Sequence, residues 1–154
     1  IAQYEDAEPD PLLSAPRQYG ITQEHKHLAE MVHMTGLTSK PVFCPIVADY
    51  YSGMEVTVPL FAEDLKGTAA DVKAAYAAKY TGPIVTYRES ADEGGFYSAC
   101  ALAGLDRMEI TVAGNDQRLL LIARYDNLGK GASGAAVECL NLVLGAEETT
   151  GLEL

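Results

Sequence analysis

Apolar and polar residues alternate along two stretches of the chain with the period of a β-strand. Residues 54–60 and 108–112 place apolar side chains at every second position, which predicts strands with one buried face. Pro59 has no N–H to give to a neighbouring strand, so its strand is predicted to lie at a sheet edge or to end there. A polar turn at residues 114–117 leads into the apolar run Leu119–Ala123, and this order predicts a hairpin.

Three other segments carry helix signals. Thr22 is a candidate N-cap for a first helix that Gly36 would end. Thr68 and Asp71 resemble a capping box in front of an alanine-rich second helix. A third, strongly apolar helix is predicted over residues 132–144.

The order of these elements predicts the fold class. Further short strands are predicted near residues 42–47 and 84–87. Strands grouped by hairpins and separated by few helices indicate an α+β domain, with a largely antiparallel mixed sheet and helices on one face. Residues 1–20 are acidic and rich in proline, and they are predicted to form an extended arm or loop. Residues 21–154 are predicted to form one domain.

Charge and cysteine content narrow the class of protein. A net charge of −11 would repel phosphate backbones, so nucleic acid is not expected as a partner. The sequence has no run of about 18 apolar residues, so no membrane partner is expected either. Cys44, Cys100 and Cys139 are odd in number and widely separated. We expect them to be reduced, mostly buried thiols of a cytoplasmic protein.

A glycine-rich segment with one lysine, residues 126–137, connects an apolar strand to the last helix. Glycines admit close approach and a helix start favours negative charge, so together with Lys130 the segment predicts an anion site. Gly129, Gly131 and Gly134 have the spacing of a dinucleotide fingerprint, but the following strand with its acidic residue is absent, which argues against a Rossmann domain here. Close packing of a helix through small residues explains the segment equally well.

Two histidines, His25 and His27, fall in the first predicted helix. Residues two apart on a helix point ~200° away from each other, so the pair is not expected to ligate one metal ion, and no metal site is predicted. One interpretation is a solvated helix start. The other is that one histidine faces a cleft as a general acid or base, with a carboxylate such as Glu30 one turn away. His33 is the weaker candidate.

Four blocks of residues resemble N-acetyl-gamma-glutamyl-phosphate reductases and occur in the same order. They are residues 25–31, 49–60, 105–108 and 126–145, of which the segment Asn127–Ala132 is the most specific. From about Tyr19 onward the chain is similar to the carboxy-terminal catalytic and dimerisation domain of that family, without the preceding nucleotide-binding domain. The catalytic and dimerisation domain of the family is in turn similar to the carboxy-terminal domain of glyceraldehyde-3-phosphate dehydrogenase-like reductases.

The resemblance implies an activity: NADPH-dependent conversion of N-acetylglutamyl phosphate to N-acetylglutamate semialdehyde in arginine biosynthesis. In such enzymes a cysteine attacks the acyl phosphate, phosphate leaves, and a hydride reduces the thioester. NADP would be bound mainly by a domain outside this chain, and the helix over residues 131–145 would pack on that domain. A homo-oligomer is also implied.

The resemblance also implies site residues. His25 matches the catalytic histidine, which would assist thiolate formation and protonate the developing oxyanion. Glu30 would orient that histidine or the substrate, and His27 completes the catalytic set. Substrate residues are implied at Tyr19, Ser52 and Gly53, and cofactor residues at Asn127, Gly129, Lys130, Gly131 and Ala132.

The chain departs from the family in two places. The family's nucleophile lies in a Pro-Gly-Cys motif, which does not occur here, and Ala29 stands where proline is usual. Cys44 is not expected to replace the nucleophile, because a buried thiol without a cationic neighbour stays protonated. Two other classes remain open: a non-catalytic α+β dimer that binds a small anion, and a hydrolase that uses His25 with Glu30.

Overall fold

The computed structural model describes residues 3–8 and 10–154, and these form two sheets and three α-helices. The elements in chain order are β1 (Arg17–Gln18), α1 (His27–Thr35), β2 (Ile46–Val47), β3 (Met54–Phe61), α2 (Ala69–Lys79), β4 (Val85–Tyr87), β5 (Met108–Gly114), β6 (Arg118–Tyr125) and α3 (Gly134–Leu144). The chain divides into two compact units, residues 1–50 and residues 51–154. This content confirms the predicted α+β class.

The first unit contains β1, β2 and α1. The two strands pair antiparallel, with Arg17 opposite Val47. The segment predicted to be an arm contributes β1 and a 3₁₀ helix over Pro11–Ser14, while its residues 1, 2 and 9 lie outside the described part. Leu13 and Leu28 are buried. The apolar core of this unit therefore draws on residues that precede β1 in the sequence and on residues that follow it.

Helix α1 begins later than predicted. Gln23 adopts a left-handed backbone with φ of 58°, which a helix interior does not accept. The N–H of Gln23 instead closes a turn on the carbonyl of Gly20 at 3.0 Å. The helix therefore starts at His27, and the predicted N-cap at Thr22 is wrong. Gly36 ends the helix in a left-handed conformation, as predicted.

The second unit is organised around a four-stranded sheet in the order β3-β6-β5-β4. Neighbours are antiparallel except β4 and β5, which run parallel. The predicted hairpin is confirmed, and its turn is held by Asn115, whose side-chain oxygen accepts the N–H groups of Gln117 and Arg118 at 2.9 and 3.0 Å. Strand β3 lies at the sheet edge, as Pro59 predicted.

The core of this unit lies under β5 and β6 rather than under β3. Its buried apolar residues are Ile84, Leu102, Val112, Leu119 and Ile122. On β3, by contrast, Met54, Val56 and Val58 are 38%, 42% and 47% exposed. The predicted buried face of β3 is therefore wrong for the described residues, because no described part of the chain covers that face enough to bury it.

Helix α2 starts as predicted from its capping box. Thr68 accepts the N–H of Asp71 at 3.2 Å, and the Asp71 carboxylate accepts the N–H of Thr68 at 2.7 Å. The N–H and the hydroxyl of Thr68 both donate to the Asp71 carboxylate, and these two bonds lower the pKa of Asp71. The three helices have 9, 11 and 11 residues, and within the described chain none has the length and apolarity needed to cross a membrane.

The cysteines differ from the prediction of buried thiols. Cys44, Cys100 and Cys139 are all unpaired and exposed. Cys44 precedes β2, a strand of only two residues. Cys139 lies on α3, where Leu140 and Val143 are also exposed. Apolar neighbours in the sequence thus did not predict burial of the thiols, because few other residues of the described chain pack on these segments.

Candidate functional site

His25 lies at the centre of a small aromatic cluster in the first unit. Its ring is 5.8 Å from Tyr19, 4.6 Å from His27 and 5.2 Å from Phe43, measured between ring centroids. All of these arrangements are tilted or edge-on, which aromatic rings prefer over face-to-face stacking. The cluster brings together three of the predicted site residues, Tyr19, His25 and His27, and adds Phe43, which the sequence did not indicate.

A backbone hydrogen bond fixes the tautomer of His25. Its Nδ1 accepts the N–H of His27 at 3.2 Å. Because Nδ1 acts as the acceptor, the neutral imidazole carries its proton on Nε2. His25 can therefore present an N–H donor from Nε2 while its other nitrogen serves as a cap for the start of α1.

Gln23 supports this cluster from the turn that precedes His25. Its side-chain nitrogen donates to the carbonyl of Phe43 at 2.7 Å, and its side-chain oxygen accepts the N–H of Phe43 at 2.9 Å. The pairing joins positions twenty residues apart. No local pattern predicts such a contact, because a glutamine at this position looks like any surface residue.

Glu30 lies closer to His27 than to the histidine it was predicted to orient. One of its carboxylate oxygens is 3.8 Å from Nε2 of His27, one helical turn away. Both side chains are well exposed, so this pair contributes little to stability. Among the described residues no hydrogen bond or ion pair joins Glu30 to His25.

The helical argument against a shared metal ion does not apply, because His25 precedes α1 and its ring lies beside that of His27. Even so, in residues 3–8 and 10–154 no three His, Cys, Asp or Glu side chains are arranged to hold a metal ion.

The second unit contains the other predicted site residues, grouped around Asp126. The buried carboxylate of Asp126 accepts four hydrogen bonds: from the hydroxyl of Ser52 (2.9 Å) and from the N–H groups of Gly104 (2.6 Å), Leu128 (2.7 Å) and Gly129 (3.1 Å). Burial raises the pKa of Asp126, but these bonds outweigh it and hold the pKa below its usual value. A carboxylate of the chain itself thus occupies the start of the glycine-rich turn.

Ser52 and Gly53 are both tied to this turn. The N–H of Gly53 donates to the side-chain oxygen of Asn127 at 2.8 Å. Gly53 has φ of 123°, and a Cβ there would lie 2.4 Å from the carbonyl oxygen of Ala99. Glycine is therefore required at this position by backbone conformation and by close approach.

The glycine-rich segment forms a π-helical turn over Gly129–Ser133 that continues into α3. A Cβ at Gly134 would lie 2.2 Å from the Asp106 carboxylate, and one at Gly129 would lie 2.7 Å from the carbonyl of Leu105. Lys130 forms an ion pair with Glu138. Gly131 and Ala132 are exposed, so close packing explains part of the segment and its outer surface stays accessible.

A buried ion-pair network lies on the neighbouring strands. Glu109 accepts hydrogen bonds from Arg107 at 2.9 Å and from Arg124 at 2.9 and 3.0 Å. Burial raises the pKa of Glu109, but the hydrogen bonds from Arg124 and Arg107 prevail and lower it. Arg124 also pairs with Glu93 and lies 4.3 Å from the ring centre of Tyr97. The sequence did not indicate this network, because Glu109 and Arg124 look like ordinary strand residues and its other members lie outside the strands.

Comparison with known proteins places these features in a family. The profile described as semialdehyde dehydrogenase, dimerisation domain, matches residues 5–127. N-acetyl-gamma-glutamyl-phosphate reductase 2 of Nostoc sp. is 39% identical over 87% of this chain and 45% of its own length. The N-acetyl-gamma-glutamyl-phosphate reductases of Brucella ovis and Sinorhizobium medicae are each 41% identical, over 94% and 95% of this chain and 49% and 50% of theirs.

The chain spans about half the length of these curated relatives. The profile match covers well over half of the chain and leaves out the segment after residue 127. The chain therefore belongs to the semialdehyde dehydrogenase family, of which it carries the dimerisation domain.

Proposed function

We propose that this chain is the substrate-binding and dimerisation portion of an NADPH-dependent reductase that converts N-acetylglutamyl phosphate to N-acetylglutamate semialdehyde in arginine biosynthesis. The observation that carries the proposal is the 38–41% identity, over most of the chain, to proteins named N-acetyl-gamma-glutamyl-phosphate reductase. A biosynthetic enzyme of this kind would be cytoplasmic, with no nucleic acid or membrane partner. We use "complete reductase" for this chain joined to the nucleotide-binding domain that we propose precedes it.

His25 is the residue of this chain that we assign to stabilising the developing oxyanion. Reduction at the acyl carbon places negative charge on the carbonyl oxygen, and a donor aimed at that oxygen stabilises the charge. The Nε2 proton of His25 fits this role, because Nδ1 is engaged with the backbone of His27. Removing a proton from the nucleophile would need the opposite tautomer and would break that bond. The neutral ring keeps its Nε2 proton, so the geometry favours a hydrogen bond from Nε2 to the oxyanion over the base role.

We propose roles for the remaining catalytic and substrate residues from the contacts that each makes within its own unit. Tyr19 is half-exposed beside the His25 ring and would contact substrate. Glu30 would act on the substrate or through His27, given its 3.8 Å distance to that ring. Ser52 and Gly53 would contribute through the loop that Asp126 and Asn127 hold, rather than through a free hydroxyl.

NADP would be bound mainly by the proposed preceding domain, and it would supply the hydride when bound. On this chain, contact would fall on the outer surface of the turn formed by Asn127, Gly129, Lys130, Gly131 and Ala132. Helix α3 would pack on that domain. Its exposed apolar side chains support this docking: Leu140, Leu142, Val143 and Leu144 are 54–83% exposed.

The alternative of a non-catalytic dimer that binds a small anion has less support. The anion site would use the backbone donors at the start of the glycine-rich turn. Asp126 already accepts the N–H groups of Leu128 and Gly129 there, and Lys130 is paired with Glu138.

The direct test is an assay of NADPH oxidation with N-acetylglutamyl phosphate. The complete reductase should oxidise one NADPH for each phosphate released, whereas the 154-residue chain alone should show no turnover because it has no Pro-Gly-Cys motif. Turnover by the isolated chain, or phosphate release without NADPH oxidation, would contradict the proposal, and the latter would favour a hydrolase.

A further inference from the structure

We propose that Gln23 is a positioning residue for His25: its side-chain amide fixes the backbone and the aromatic ring that together orient the His25 imidazole. The inference rests on the proposed function, because it assigns Gln23 to the same reaction. We assign Gln23 itself no contact with the reacting atoms. It acts through Phe43 and through the turn that ends two residues before His25.

The backbone of Gln23 is the first observation. Within the described residues it is the sole non-glycine residue with positive φ, at 58°. Such a conformation is unfavourable for a side chain with a Cβ and persists only where surrounding contacts enforce it. It also stops α1 from extending backward, so that His25 stands in front of the helix and not within its first turn.

The side chain of Gln23 is the second observation. Its amide pairs with both polar groups of the Phe43 backbone, at 2.7 and 2.9 Å, and its nitrogen also lies 3.3 Å from the carbonyl of Gly20. A neutral amide that donates and accepts with one residue imitates a rung of a β-ladder. This rung holds residue 43 against the turn of residues 20–23.

The consequence reaches His25 from two sides. Phe43, fixed by Gln23, places its ring 5.2 Å from the His25 ring. The carbonyl of His25 accepts the N–H of Leu28 at 3.1 Å, and its Nδ1 accepts the N–H of His27. The backbone, Nδ1 and a neighbouring ring thus hold the imidazole of His25 in place. Nε2 is the ring nitrogen that is left to donate a hydrogen bond.

The test compares Gln23→Ala with Gln23→Gly and a control, Gln18→Ala. Gln23→Gly removes the amide but accepts positive φ without strain, so it separates the hydrogen bonds from a general loss of folding. Gln18 is an exposed glutamine in β1 of the same unit. The first readout is the nuclear Overhauser effect between the ring protons of His25 and Phe43 in the 154-residue chain. The second is kcat and KM in the complete reductase.

We expect both Gln23 variants to lose the ring-to-ring Overhauser effect and to lower kcat about tenfold, which is less than the ~10²-fold or more that a fully misplaced or missing catalytic group costs. The KM for N-acetylglutamyl phosphate should stay within about twofold, since substrate binding is not the step affected. Gln23→Glu keeps the acceptor for the Phe43 N–H and should restore part of kcat. Gln18→Ala should match wild type in both readouts.

Two results would overturn the inference: an unchanged Overhauser effect in Gln23→Gly, or its loss with wild-type kcat. A failure of the proposed function looks different. In that case wild type and all variants would lack reductase turnover, while the Overhauser effect would still report whether Gln23 holds the two rings together.

Discussion

A single carboxylate explains much of the glycine-rich segment. The sequence predicted that negative charge is favoured at the start of the last helix, and that physical expectation holds. The anion there is Asp126 of the chain itself, whose partners Ser52 and Gly104 are 74 and 22 residues away in sequence. Periodicity and local motifs do not report contacts over such distances, so the sequence could indicate the electrostatics of the turn but not its occupant.

Asp126→Asn should destabilise the protein by about 2–4 kcal/mol at neutral pH, because an amide cannot accept all four bonds and loses the charge that strengthens them. The folded pKa of Asp126 is lowered, while an unfolded aspartate titrates near 3.9. The stabilisation is therefore complete above about pH 4 and is lost as the pH falls through the folded pKa. Urea unfolding at several pH values measures this difference.

Asp116→Asn is the matched control, since Asp116 is exposed in the hairpin turn. Its effect on stability should stay within about 0.5 kcal/mol. A constant gap between Asp126→Asn and wild type from pH 7 down to pH 2 would contradict the titration of Asp126.

Lys130 offers a second test at this scale. Its pairing with Glu138 predicts that Lys130→Ala and Glu138→Gln both lower Tm, because each leaves a largely buried partner without its counter-charge. If Lys130 also contacts the cofactor, the KM for NADPH in the complete reductase should rise several-fold in Lys130→Ala and not in Glu138→Gln. An unchanged KM would remove Lys130 from the cofactor contacts and leave it as a packing residue.

At the scale of elements, local signals predicted the structure where neighbouring residues decide it. The capping box of α2, the hairpin turn at Asn115 and the helix stop at Gly36 all appear as expected. The start of α1 was mispredicted because Phe43 stabilises a left-handed Gln23, and a single helical window contains no sign of that pairing. Burial of β3 was mispredicted because alternation shows that one face is apolar, not that anything within the chain covers it.

Gly53 lies directly before β3, and its N–H donates to Asn127 next to Asp126. A side chain at this position should lower the stability of the protein strongly. Gly53→Ala places a methyl group 2.4 Å from the carbonyl oxygen of Ala99 at φ of 123°, which should cost about 2–4 kcal/mol of stability. Gly82→Ala is the control, since a Cβ there meets no atom within 4 Å. Thermal unfolding compares the two, and equal Tm values would show that the loop before β3 adapts freely.

At the scale of the whole molecule, the exposed apolar side chains of β3 need cover. Met54, Val56 and Val58 share one face of the strand with Leu121 and Ala123 of β6, their cross-strand neighbours. An exposed apolar sheet face of this kind marks an interaction surface. The match to a dimerisation domain makes a second copy of the protein its expected partner.

Val56→Lys should therefore shift the protein from dimer toward monomer in sedimentation velocity at micromolar concentration, because a buried lysine without a counter-charge is costly at an interface. Thr57→Lys places the same residue next along the strand, on the opposite face. This control should leave the dimer intact. A wild-type monomer, or equal dissociation by both variants, would contradict assembly through the face that carries Val56.

If the Nε2–H group of His25 donates a hydrogen bond to the developing oxyanion in a reductase reaction, loss of its side chain must slow turnover. His25→Ala and His33→Ala are each measured in the complete reductase with NADPH and N-acetylglutamyl phosphate, His33 being an exposed histidine of α1. We expect His25→Ala to lower kcat by ~10²–10⁴ and His33→Ala to retain the wild-type value. A wild-type kcat in His25→Ala would contradict this role of His25.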